Sequence, residues 1–162
     1  MSDLTHASPH FNSRNGQPIR VLVLHASAGQ SDKEDLSWMM APESKVSYHF
    51  LFGRNGQLYS LVDPKHRAWH AGVSLWNGVK DVNAVSLGAS FSNAHDSKEA
   101  LTPMQMAVAL ASVEGWARQF PTLEAVTTHK AIAEGRKSDP YKSVGFDFAE
   151  FEQAFAKGVA SR

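Results

Sequence analysis

Eight histidines and no cysteine set the terms for any metal chemistry in this chain. Without thiolates, a zinc site has to be built from imidazole and carboxylate. Two histidines stand out by position. His25 closes the apolar run from Ile19 to Leu24. His129 follows the short segment Val126 to Thr128 and precedes the polar loop Glu134-Gly135-Arg136-Lys137-Ser138-Asp139-Pro140. A side chain at the C-terminal end of a buried strand can project into a crevice at the sheet edge. A catalytic zinc takes three protein ligands and leaves a fourth position for water. Two such histidines and a nearby carboxylate would complete a hydrolytic centre. The pattern alone does not choose them, because a histidine at a strand end is equally able to serve as a hydrogen-bonded structural residue.

Composition narrows the class. At 162 residues, 43% of them hydrophobic, the chain is expected to form one domain with one core, 1–162, led in by an extended segment over 1–18. Lysine plus arginine equals aspartate plus glutamate at 16 each, so the formal charge is zero. That balance argues against a nucleic-acid partner. No apolar run is long enough for a membrane span, and the polar stretch from Met1 to Arg20 has no signal-peptide core. The expectation is a monomer that is cytoplasmic as synthesised.

The elements that must position the histidines are legible in outline. Ile19 to Leu24 is rich in β-branched residues and predicts a buried strand. Ser31 with Glu34 predicts a helix start, and Pro42 its end. Val46 to Phe52 predicts a second strand, with Tyr48, Phe50 and Phe52 on one face and His49 on the other. Asn55-Gly56 signals a hairpin to a partner strand over Leu58 to Val62. A loop rich in Trp, His and Gly follows, from Trp69 to Gly78, and loops of that kind often line a site. Ala84 to Phe91 predicts another strand. Thr102-Pro103 with Gln105 opens the clearest helix, whose predicted stripe is Met106, Leu110, Val113, Ala117 and Phe120. Asp147 starts a last helix bearing Phe148, Phe151 and Phe155. Strands interleaved with helices indicate an α/β fold, with a central mixed β-sheet flanked by helices.

Taken in order, several blocks resemble the type-2 N-acetylmuramoyl-L-alanine amidases. They are Val21 to His25, Tyr48-His49-Phe50 with Arg54-Asn55-Gly56, Trp69-His70-Ala71-Gly72, Ser86-Leu87-Gly88, Thr128-His129, and Gly135 to Pro140. That family includes phage endolysins, muropeptide-recycling amidases and peptidoglycan recognition proteins. The resemblance implies an amidase/peptidoglycan-recognition-protein-like fold and a Zn2+ cofactor held by His25, His129 and Asp139. It implies peptidoglycan or a muropeptide as substrate, cut between the lactyl group of N-acetylmuramic acid and L-alanine. Lys137 falls at a position where the family often has a lysine, suited to stabilising an oxyanion. Tyr48 falls in a triplet shared with endolysins and recognition proteins and would orient water or bind the oxyanion. His70 matches a His-Ala-Gly loop and would contact substrate. His49 is expected to be structural.

One departure matters. Many bacterial members carry a glutamate base where this chain has Ser90. Serine does not accept a water proton usefully near neutral pH without a base of its own. The mechanism therefore leans on zinc, Tyr48 and Lys137. Glu134, near the site in sequence, is not assigned as a replacement. The Tyr-His-Phe triplet, the short chain and the missing glutamate favour a phage or prophage endolysin. The alternatives are a cytosolic recycling amidase and a peptidoglycan-binding module with impaired catalysis.

Overall fold

The computed structural model describes residues 4–162, so the lead-in expected from residue 1 is described from Leu4. In chain order the elements are β1 (Phe11–Ser13), β2 (Val21–Ala26), α1 (Asp32–Met40), β3 (Phe50–Phe52), β4 (Leu58–Ser60), β5 (His66–Ala68), α2 (Val82–Val85), β6 (Ser86–Phe91), α3 (Pro103–Gln119), β7 (Ala125–Thr128), α4 (His129–Ile132) and α5 (Phe148–Ala160). Five strands form one sheet in the order β4-β3-β6-β2-β7. Strands β3, β6, β2 and β7 run parallel; β4 alone is antiparallel to its neighbour. The Asn55-Gly56 hairpin makes the sheet mixed, and Gly56 supplies the positive φ of +83° at that turn. Strands β1 and β5 form a separate antiparallel pair.

Strand β2 is buried along its whole length, which is why it reads as an unbroken apolar run. Its two faces feed two cores. Leu22 and Leu24 pack with Phe50, Phe52, Leu87 and Phe91 under α3 and α5. Val21 and Val23 pack with Ala71, Trp76, Val82, Val85 and Ile132. Strand alternation puts His25 on the Val21–Val23 side, beneath the Trp/His/Gly loop.

Helix α3 starts as predicted. Thr102 and Gln105 form a reciprocal capping box, with Pro103 in the first turn. Its buried face is offset from the predicted stripe. Val113 and Ala117 are buried, joined by Gln105, Ala109 and Trp116, while Met106, Leu110 and Phe120 lie half-buried along the flank. Two side chains cause the offset. Trp116 stacks on Phe50 at 4.4 Å between ring centroids. The Gln105 amide donates to the carbonyls of Phe52 and Ser92, both at 2.9 Å, a polar role that an apolar pattern cannot reveal.

Three predicted strands are shorter than expected, and the one from Leu58 ends at Ser60 rather than Val62. The β3 ladder starts at Phe50; ahead of it, Ser47 and His49 donate their N–H groups to Trp69 and Gly88. Alternation therefore does not carry back to Tyr48. Its ring packs with Leu36, Met39, Leu51, Tyr59 and Leu61, not on the Phe50–Phe52 face. The segment from Ala84 begins as the helical turn α2, and the strand starts at Ser86. Among the described residues no helix is long and apolar enough to cross a membrane.

Candidate metal centre

Two parallel strands, β2 and β7, deliver the two histidines at their C-terminal ends. His25 is the penultimate residue of β2. His129 follows directly on β7, as the first residue of α4, whose start is capped by the Thr128 hydroxyl accepting from Ala131. Asp139 returns from the polar loop. Its backbone carbonyl accepts from Lys130, and its carboxylate accepts from the Ala26 N–H at 3.2 Å. It is thus tied to the chain next to each histidine.

The three side chains converge, each buried, with one ligand atom apiece lying within 4.8 Å of the others. His25 Nδ1 lies 3.4 Å from Asp139 Oδ2, and His129 Nδ1 lies 3.1 Å from Asp139 Oδ1. Ligands about 2.0–2.1 Å from a tetrahedral zinc are separated by about 3.3 Å, so these spacings fit one ion. A second observation points the same way. His25 Nδ1 is fully buried and has no hydrogen-bond partner. A buried ring nitrogen left so is costly unless something binds its lone pair. Two imidazole nitrogens and one carboxylate oxygen are a donor set suited to zinc.

The outward-facing nitrogens are engaged. His129 Nε2 lies 3.0 Å from the Ala71 carbonyl and donates to it. His25 Nε2 lies 2.8 Å from His70 Nδ1, and His70 Nε2 lies 2.9 Å from Ser86 Oγ. His70 therefore sits behind His25, only 5% exposed, with both ring nitrogens spent on protein partners. The substrate contact expected of it from sequence would have to be made with what little of the ring remains exposed.

Electrostatics favour a neutral imidazole beside an ionised acid. Burial pushes the His25 imidazole down to about 4, against the pull of Asp139. Burial alone would raise the Asp139 carboxyl, but His129 and His25 beside it outweigh burial and hold the acid well below its usual range. Tyr48 lines the same cleft, its ring 5.0 Å from that of His25. Burial, then the Asp139 charge, raise its phenol far above normal, while a side-chain hydrogen bond with Ser90 opposes the rise. It remains a neutral hydroxyl donor.

The cleft has a volume of about 420 Å³. Lys45, Arg136 and Lys137 line it, and among the described residues Asp139 is its one acidic lining residue. Lys137 is exposed on its wall. Glu134 lies outside, on a neighbouring groove with Val73 and Leu75. Ser90 is fully buried, so the position that holds a glutamate in many members offers no carboxylate here. His49 is structural in its contacts. Its Nδ1 accepts from Gly88 N–H at 3.0 Å, which leaves Nε2 to donate to the His66 carbonyl at 2.8 Å.

Sequence reasoning missed His95. It lines the cleft and accepts from the Lys142 N–H at 3.1 Å, just past the loop that carries Asp139. A lone histidine in the polar stretch Ser92 to Asp96 carries no spacing signal that could have found it.

The fold and this cluster define an α/β protein with three side chains that could hold a metal ion beside an open cleft. A family model described as N-acetylmuramoyl-L-alanine amidase matches residues 15–142, and the chain belongs to that family. It is 31% identical to the N-acetylmuramoyl-L-alanine amidase AmiD of Escherichia coli over 137 residues, covering 75% of this chain and 49% of AmiD. It is 34% identical to the 1,6-anhydro-N-acetylmuramyl-L-alanine amidase AmpD of Citrobacter freundii over 108 residues, covering 66% of this chain and 56% of AmpD. The chain thus spans about half the length of these curated relatives. The crystal structure of a selenomethionine derivative of AmpD superposes with a TM-score of 0.78 at 26% identity, covering 94% of this chain and 96% of that one. The Escherichia coli AmiD complex with anhydro-N-acetylmuramic acid-L-Ala-D-gamma-Glu-L-Lys gives 0.74 at 26% identity, covering 88% and 60%. The phage Ph2119 endolysin matches at 17% identity, which shows the fold alone. The endolysin reading drawn from Tyr48-His49-Phe50 is not supported by these relatives. A triplet that also packs a strand entry is too short to separate branches of one family.

Proposed function

We propose that this protein is a zinc-dependent N-acetylmuramoyl-L-alanine amidase that strips the stem peptide from anhydromuropeptides. The reaction adds water across the amide between the lactyl group and L-alanine, giving a lactyl carboxylate and a peptide with a free N-terminal alanine. The carrying observation is the convergence of His25, His129 and Asp139 around the orphaned His25 Nδ1. Those three residues would hold the metal. A zinc ion there supplies Lewis-acid polarisation of a carbonyl and acidifies water.

The chain's own residues supply the rest. Tyr48 keeps its proton and donates a hydrogen bond to the oxygen that becomes negative. Lys137, on the cleft wall, adds positive charge to the same oxygen. With Lys45 and Arg136 it makes a cationic rim suited to the carboxylates of a stem peptide. The recycling reading is preferred to an endolysin because the curated relatives are AmpD and AmiD proteins. One observation favours a second reading. Among the described residues the cleft has no acid apart from Asp139 to take a proton from water, as a muropeptide-binding module without turnover would have it.

The test is direct. Purified protein is expected to carry about one zinc per chain and to release peptide with a new N-terminal alanine from soluble anhydromuropeptides, losing this activity to a chelator. Zinc-loaded protein that binds muropeptide and releases nothing would establish the second reading. Release from intact sacculi but not from soluble muropeptides would restore the endolysin.

A further inference from the structure

We propose that His70 is a positioning residue for the metal centre, holding His25 in the one tautomer that leaves Nδ1 free for a metal. The proposal rests on the reading of His25, His129 and Asp139 as ligands.

His25 Nε2 and His70 Nδ1 are 2.8 Å apart and share one proton. If His70 donates, His25 must carry its own proton on Nδ1, and the nitrogen facing Asp139 is blocked. If His25 donates, Nδ1 keeps its lone pair. Metal binding therefore needs His70 Nδ1 as an acceptor, and the proton of His70 then sits on Nε2. There it meets the Ser86 hydroxyl, which can accept it at 2.9 Å. Without His70 the His25 N–H would be buried and unpaired whenever metal is bound, because His25 is fully buried.

The surroundings hold the ring in place. A Cβ on Gly88 would lie 2.5 Å from His70 Cγ, so the glycine is what lets the imidazole lie against β6. Asn83 Oδ1 accepts the N–H groups of His70 and Ala71, at 3.1 and 2.8 Å. The Ala71 carbonyl accepts from His129 Nε2. One dipeptide, clamped by one asparagine, thus serves both histidines, the first through a side chain and the second through a carbonyl.

The experiment measures zinc affinity of the full chain by competition with a chromophoric chelator, and the visible spectrum of the cobalt(II) form. His70→Ala is expected to weaken zinc binding about 10- to 100-fold and to alter the cobalt bands. His70→Asn, whose side-chain oxygen falls where Nδ1 was, is expected to restore most of the affinity. His70→Gln reaches towards Ser86 instead and is expected to resemble His70→Ala. A merely structural role would not separate Asn from Gln. Wild-type affinity in His70→Ala, or equal affinities in the Asn and Gln variants, would overturn the proposal; should His70→Ala not fold, the Asn and Gln pair decides. A wild-type protein that binds no zinc would overturn the metal reading itself, and this proposal with it.

Discussion

The backbone N–H of Ala26 donates to the Asp139 carboxylate at 3.2 Å, which anchors the proposed third ligand to the strand that carries the proposed first, His25. The anchor separates two functions of the carboxylate, its charge and its role as an acceptor. Asp139→Asn keeps an oxygen for Ala26 and loses the charge, whereas Asp139→Ala loses both. Each is expected to lower zinc affinity by more than the about 10- to 100-fold typical of outer partners. In the zinc-free protein Asp139→Asn should unfold at a higher temperature than Asp139→Ala. Metal analysis and calorimetry check the pair; tight zinc binding by either variant would remove Asp139 from the ligand set.

Tyr48 and Lys137 are assigned to the oxygen that gains charge, so removing either should slow turnover without emptying the site. Removing one donor of this kind typically costs about 10²- to 10³-fold in kcat. Tyr48→Phe and Lys137→Ala are each expected to fall by about that order while keeping wild-type zinc content. Tyr48→Phe also retains the ring that packs with Leu36 and Leu61, so its stability should change little. Unchanged turnover in either variant would strip that residue of its role.

Acid should destabilise the zinc-free protein through a histidine outside the ligand set. Burial, then the neighbouring Arg14 charge, lower His49 from 6.5 to about 3. Its Nδ1 already accepts from Gly88, so a proton there would break that bond. The unfolded chain binds the proton first, near 6.5, and the folded chain only near 3. Between those values the unfolded state holds more protons, so stability falls as the pH is lowered below 6.5. The slope per such group is at most about 1.4 kcal/mol per pH unit. His25 and His70, also lowered by burial, add in the same direction. His49→Gln should show a shallower fall between about pH 7 and pH 5 in denaturant titrations. A slope identical to that of the wild type would mean that His49 is protonated in the folded protein.

The sheet and its layering were legible because β2 is buried on both faces and the Asn55-Gly56 turn announces itself. The caps of α3 were legible for the same local reason: Thr102, Pro103 and Gln105 act within one turn. What escaped was set by partners far along the chain. Tyr48 changes face because Ser47 and His49 pair with Trp69 and Gly88 before the ladder starts. Gln105 is buried because it closes the ends of β3 and β6. At the site, strand-end position drew attention to His25 and His129, while Asp139 came only from family resemblance. The roles of His70, Asn83 and His95 depend on contacts that no spacing encodes.

Ser90 offers a last test, through its neighbour. It is fully buried and acts on the Tyr48 phenol, opposing the rise caused by burial, so the two side chains are neighbours at the position where many members place a glutamate. Ser90→Glu should therefore be strongly destabilising, since it forces a carboxylate into a filled, desolvated site. Tyr48→Ala vacates volume at the cost of about 3–5 kcal/mol, the range for a large buried aromatic. If the two side chains compete for one space, the double variant should be more stable than the sum of the single losses, by a coupling of about 0.5–3 kcal/mol. Equilibrium unfolding of the four proteins measures that coupling, and strictly additive losses would show that Tyr48 and Ser90 are independent. Turnover of the double variant then asks a chemical question. A gain over Tyr48→Ala alone would show that a carboxylate at position 90 can act as a base within this frame of ligands.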